Sequence, residues 1–323
     1  MFLRSPCLLA QNRLDPREIA ADRLCLVGRL GLSHRLLHAQ LEELVFHLDD
    51  ALLHLARDHD EARDGFSHVI GELRRLATPL QGIRVLEITN LIAGPTGGRL
   101  LADLGADVIK FEPLTGDISR PIGRTYFFNV NANKRSVSVD TRTLEGKDVV
   151  QKIAASADAI LANLRPHATE RMGIGPAINP HLIETHLTGY GWTGPYAKRP
   201  GIDPLAQGLM GLQRAQGGKG NPPVFPAQLA PTDYTTGAMG ALGTILAIYA
   251  RNRTGVVQRV DSNLLNGGAV LSSEWFTRYE GKPERPLADK GQYGLNPFHR
   301  LYEVSDGWIY VVAEAATERE AMC

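Results

Sequence analysis

The chain has 323 residues, enough for two domains, with 43% hydrophobic and 22% charged residues, the proportions of an ordinary globular protein. Its 35 basic and 35 acidic side chains cancel, which removes the usual electrostatic reason to expect nucleic acid or a membrane surface as a partner. Three scattered cysteines, Cys7, Cys25 and Cys323, make neither a disulfide framework nor a metal site and point to a reducing cytoplasm, and no window is long and apolar enough to span a bilayer.

In chain order, residues 14–77 are rich in Leu, His, Arg, Asp and Glu. Leucines at three- and four-residue steps predict amphipathic helices over 36–55 and 60–76, read as an N-terminal helical extension covering 1–79. Six histidines fall here without clustered carboxylate or cysteine partners, so no metal is assigned to them. From residue 80 the pattern changes. Strands are predicted near 84–88, 106–112, 136–140, 159–162 and 182–188, with a glycine-rich turn at 93–98 and helices over 99–104 and 144–155. Strands alternating with helices and short connections predict an open, doubly wound parallel α/β sheet spanning 80–277. Residues 201–231 read as loop. A small-residue helix, read as buried, follows over 238–249, with Thr232 or Asp233 as its N-cap, Arg251 and Arg253 in its last turn and Gly255 ending it. A strand over 256–261 and a helix over 262–276 come next. A polar stretch and a hairpin, 298–304 with 308–312, then open a smaller second domain at 278–323.

Asp233 is the first candidate for chemistry. A carboxylate at the positive end of a helix is expected to stay ionised and can face a cleft, although capping alone also accounts for it. Gly94, Gly97 and Gly98 do not make the dinucleotide spacing, and Glu112 at a strand end is a weak substitute for a ribose-binding acid. Basic residues recur near predicted strand ends: Lys134 and Arg135, Arg142, Arg165 and Arg171. Gathered at one sheet edge, such residues suit a ligand with phosphates.

Leu80-Gln-Gly-Ile-Arg-Val-Leu-Glu-Ile-Thr, the following Ala93-Gly-Pro, and Leu100-Leu-Ala-Asp-Leu-Gly-Ala-Asp-Val-Ile-Lys-Phe-Glu112 resemble the opening of the class III CoA-transferases, the CaiB/BaiF family. The likeness continues through Asn131-Ala-Asn-Lys-Arg-Ser, Asn163-Leu-Arg-Pro, Arg171-Met-Gly, Thr188-Gly-Tyr-Gly-Trp-Thr-Gly-Pro-Tyr, Arg199-Pro-Gly-Ile-Asp, Asp233-Tyr-Thr-Thr-Gly and Arg253-Thr-Gly. The resemblance implies a Rossmann-like large domain. It implies coenzyme A, as acyl-CoA, bound along Leu91, Ile92, Ala93, Val139, Arg142, Asn163 and Arg171, with Lys134 and Arg135 as further phosphate candidates. Asp233 becomes the nucleophile, forming an aspartyl anhydride and then an aspartyl-CoA thioester, with N–H groups near the Ala93-Gly94 turn for the oxyanion. It also implies an interlocked homodimer.

Ile92 and Pro113 stand where formyl-CoA transferase has glutamine and arginine, which argues against a formyl or oxalyl substrate. The racemase branch uses a Gly-His-Asp element; here it is Gly201-Ile202-Asp203, and Ile202 cannot move a proton. A racemase-like enzyme and a non-catalytic CoA-binding or dimerisation unit of a larger fused protein remain the alternatives.

Overall fold

The computed structural model describes residues 78–165, 167–226 and 229–322. The chain divides into two units, Met1–Thr78 and Pro79–Cys323, and the helices expected at 36–55 and 60–76 lie outside the described residues.

Six parallel strands form the main sheet: β1 (Arg84–Ile88), β2 (Asp107–Glu112), β3 (Arg135–Ser138), β4 (Ala159–Ala162), β5 (Ile183–Thr188) and β6 (Arg259–Asn263). Their spatial order is β3-β2-β1-β4-β5-β6, so the direction of winding reverses between β1 and β4. The connecting helices are α1 (Ala93–Asp103), α2 (Arg124–Asn131), α3 (Leu144–Ala155), α4 (Ala168–Arg171), α5 (Asp203–Leu209), α6 (Leu212–Gly217) and α7 (Pro231–Thr254), then α8 (Leu264–Leu271) and α9 (Ser273–Phe276) after β6.

All four residues of β4, Ala-Ile-Leu-Ala, are buried, as expected of a strand covered on both faces. Alternation then splits the apolar side chains between two cores. Val85, Val108, Leu161 and Ile183 meet Leu101 of α1 and Ala241 and Ile248 of α7 on one face. Leu86, Phe111, Ile160 and Leu182 meet Val150 and Ala154 of α3 on the other.

Three sequence expectations change. The glycine-rich stretch 93–98 is helix, not turn, because its glycines allow close packing. A Cβ on Gly94 would meet Thr89, one on Gly97 the Gly237 carbonyl of α7, and one on Gly98 the Glu87 carboxylate at 1.7 Å. Residues 203–217 hold α5 and α6 rather than loop. α7 is half-buried, not buried: Gly237, Gly240, Ala241 and Thr244 face the core, while Leu242, Leu246 and Tyr249 are each more than half exposed. Its end is as expected, with Gly255 at φ 73° closing onto the Arg251 carbonyl.

A second, antiparallel sheet follows: β7 (Gly294–Asn296), β8 (His299–Val304) and β9 (Gly307–Val312), then α10 (Ala316–Met322).

Candidate active site

A cleft of about 410 Å³ opens at the C-terminal edge of the sheet, where β1, β4 and β5 end. This is where an open α/β sheet offers a ligand site. Leu91, Ile92 and Ala93 line it from the β1–α1 turn, Asn163 and Arg165 from the loop after β4, Tyr126 from α2 and Asp233 from α7.

The turn is held in an unusual conformation. Leu91 has φ 62°, a left-handed backbone that costs a non-glycine residue roughly 1 kcal/mol. Asn163 clasps the preceding residue both ways, donating to the Asn90 carbonyl at 2.7 Å and accepting its N–H at 2.9 Å. Asp117 accepts the Leu91 N–H at 3.3 Å. The first two amides of α1, on Ala93 and Gly94, find no acceptor in the described fold, and Pro95 has none to offer. Two open N–H groups therefore stand at the head of α1.

The head of α7 is the opposite case, and here the expected cap is corrected. Ala230 is the N-cap and makes no side-chain cap; Thr232 and Asp233 sit inside the first turn. The cap is Asp203, about thirty residues earlier. Its Oδ2 accepts the Thr232 N–H at 2.9 Å, the Thr232 hydroxyl at 2.5 Å and the Asp233 N–H at 3.2 Å, and its Oδ1 accepts from Gln207. Pro231 has no N–H, and Tyr234 N–H goes to the Ala230 carbonyl. Every donor at the head of α7 is thus absent or spent, and the Asp233 carboxylate accepts no hydrogen bond from the described residues.

The expectation that Asp233 stays ionised therefore needs correction. Burial, and then the negative charge of Asp203, push its pKa up from 3.8 to about 7. Tyr126, also in the cleft, is pushed up to about 12 by burial and by the charge of Asp233, so it keeps its proton and can donate it in a hydrogen bond.

The other predicted site residues divide. Leu91, Ile92, Ala93 and Asn163 share the cleft with Asp233; Lys134, Arg135, Val139, Arg142 and Arg171 do not line it. Lys134 is buried, with its ammonium 2.7 Å from the Glu87 carboxylate. Arg135 pairs with Asp107 at 2.6 Å, at the N-terminal edge of the sheet and away from the cleft. Val139 donates its N–H to the Glu112 carbonyl just past β3. Arg142 is exposed and paired with Asp140, and Arg171 ends α4 at the surface. Glu112 accepts from Nε and Nη2 of Arg120 and from Asp117 N–H, which leaves it no role toward a ribose.

Sequence reasoning missed Tyr126, because α2 carries no clear periodic signal, and assigned no role to Arg199. The Arg199 guanidinium lies over the Tyr196 ring at 4.7 Å, lines the cleft, and has no acidic partner among the described residues. It sits on a loop whose ends touch: a Cβ on Gly189 would lie 2.5 Å from Gly201 Cα. Within that loop Trp192 packs edge-on against His186 of β5 and under the Arg259 guanidinium of β6 at 3.4 Å.

Sheet order, switch point and a poorly solvated carboxylate in the cleft define an α/β protein with a ligand-sized cleft where the strands end. The model of CoA-transferase family III matches residues 80–323, and the chain belongs to that family. It is 34% identical over 259 residues to mouse "Succinyl-CoA:glutarate CoA-transferase", covering 76% of this chain and 59% of that protein. It is 36% identical over 249 residues to the "Succinyl-CoA--L-malate CoA-transferase beta subunit" of Chloroflexus aurantiacus, covering 72% of this chain and 61% of the relative. A CAIB/BAIF family protein from Brucella suis has a similar crystal structure, with TM-score 0.67 and 33% identity over 73% of this chain and 66% of that one. The chain thus spans about 60% of the length of these two curated relatives.

Proposed function

We propose that this protein moves CoA from an acyl-CoA to a carboxylic acid with Asp233 as the covalent nucleophile. One observation carries the reading: a carboxylate in the cleft with no hydrogen-bond donor among the described residues, on a helix whose free amides are all taken. A carboxylate stripped of donors is a stronger nucleophile than a solvated one.

Asp233 attacks the thioester carbonyl, and the C–S bond breaks to give an acyl-aspartyl anhydride and CoA thiolate. The open Ala93 and Gly94 amides are the donors for the developing oxyanion. The thiolate then attacks the aspartyl carbonyl, releasing the first acid and forming aspartyl-CoA thioester. The acceptor carboxylate attacks this thioester, expels the thiolate and forms a new anhydride. Attack of the thiolate on the acceptor's acyl carbon yields the new acyl-CoA and restores Asp233.

Arg199 supports a dicarboxylic acid among the substrates, in keeping with the names of the two curated relatives: a guanidinium in the cleft with no acidic partner among the described residues is a receptor for a second carboxylate. We place the protein in the cytoplasm as a homodimer; scattered cysteines support the first and the exposed α7 stripe the second. Sedimentation of an active monomer would remove the dimer.

Hydroxylamine added during turnover with an acyl-CoA traps an aspartyl hydroxamate, and mass analysis locates it. The expected result is a hydroxamate at Asp233 in the wild type and none in Asp233→Asn, which also loses transfer. Full transfer by Asp233→Asn ends the covalent reading.

A further inference from the structure

Four charged side chains lie beneath the head of α1, each at most 2% exposed: Glu87, Lys110, Asp117 and Lys134. The Lys110 ammonium contacts Glu87 at 3.1 Å, Asp117 at 2.8 Å and the Thr89 carbonyl at 2.9 Å. The Lys134 ammonium contacts the other Glu87 oxygen at 2.7 Å. It also donates to the Pro95 carbonyl at 2.8 Å, the Val130 carbonyl at 2.9 Å and Asn131 Oδ1 at 3.0 Å. Charge balances within the group, yet burying it gains little stability, since apolar residues often serve as well or better.

What the group does provide is geometry. Pro95 is in the first turn of α1, next to the open Ala93 and Gly94 amides. Val130 and Asn131 end α2, and Tyr126 lies one turn above Val130 on that helix. Asp117, the far member, holds the left-handed Leu91. Gly98 has no side chain because the Glu87–Lys134 pair lies directly beneath it.

We propose that Lys134 is a positioning residue for acyl transfer: by joining the first turn of α1 to the end of α2 it sets the oxyanion amides and Tyr126 against Asp233. This rests on Asp233 as nucleophile. Lys134 does not line the cleft, and Asn163 and Arg165, which line it from the loop after β4, make no contact with its ammonium. Ligand binding and chemistry should therefore separate.

The test compares wild type, Lys134→Met and Glu87→Gln/Lys134→Met. The double variant keeps side-chain volume and leaves Glu87 no orphaned charge. Three readouts are taken on each: a thermal melt, a CoA titration, and steady-state transfer with hydroxylamine trapping. The double variant is expected to melt cooperatively and bind CoA within about threefold of wild type, while kcat and the trapping rate fall roughly tenfold or more. A folded double variant with kcat within about twofold of wild type overturns the proposal, as does a loss of CoA affinity equal to the loss of kcat. Failure of both variants to fold assigns Lys134 to the scaffold alone and also overturns it. Wild-type transfer with no hydroxamate at Asp233 removes the nucleophile reading itself, an outcome seen without any variant.

Discussion

The Asp203 carboxylate accepts the backbone N–H of Asp233 at 3.2 Å, so one acid takes the donors that would otherwise hold its neighbour charged. The same contact fixes the head of α7 and leaves the Asp233 side chain bare. Capping and exposure to the cleft, usually alternative placements for one aspartate, are divided here between two.

A pH dependence follows. In the proposed mechanism Asp233 must be ionised to attack, so kcat/KM should rise with pH through about 7. Tyr126 from α2, Asp203 from α5, and Arg165 and Arg199 from the loops also face the cleft. Of these, Asp203 is the one that pushes the Asp233 value up. Asp203→Asn keeps a capping oxygen but removes the charge, so the acid limb should move to lower pH while the fold holds. An unmoved limb in the folded variant would show that Asp203 exerts no field on Asp233.

Stability should respond in the opposite sense. The folded-state value of Asp233 lies above its unfolded value near 3.8, so its ionisation costs stability as pH rises from about 4 to about 7. Asp233→Asn removes that cost. Its advantage over wild type in thermal melts should grow across this window and level off above it, at about 2 kcal/mol once solvent at the cleft is allowed for. A variant no more stable than wild type at pH 8 would contradict the burial of this charge.

Glycine to alanine inside a helix normally gains up to about 1 kcal/mol. At Gly98 the sign should reverse, because the new Cβ would lie 1.7 Å from Glu87 Oε2 and α1 would have to lift from the sheet. Gly98→Ala is expected to lose about 2–3 kcal/mol in denaturant unfolding. A neutral or stabilising result would mean that α1 does not sit this close.

Arginines at opposite edges of the sheet should behave differently toward CoA. Arg165 lines the cleft at the switch point, whereas Arg135 is tied to Asp107 at the far edge. Arg165→Ala should weaken CoA roughly tenfold in a calorimetric titration, and Arg135→Ala by less than about twofold. Equal losses would place the ligand elsewhere.

How far these features could be read from sequence depends on the range of the forces behind them. β1, β4, β5 and α3 are evident in short apolar runs or helical periodicity, because neighbours along the chain decide them. Helix α1 is obscured by its three glycines, whose intrinsic cost is offset by contacts to Thr89, Gly237 and Glu87 that no local window reveals. Asp233 is picked out by motif and helix position, but its cap comes from Asp203, far away in the chain. Lys134 reads as one more surface cation until β1, α1 and α2 close over it.

The pinch between Gly189 and Gly201 has its own consequence. The loop between them leaves and returns at one point, and Trp192, wedged between His186 and Arg259, anchors it independently of α5. Residues at its tip, Tyr196 to Arg199, can then be exchanged without passing strain to Asp203, two residues beyond the pinch. The loop is in effect a replaceable cassette: evolution, or an engineer, can alter the wall of the cleft that carries Arg199 while Asp233, the proposed nucleophile, stays where it is.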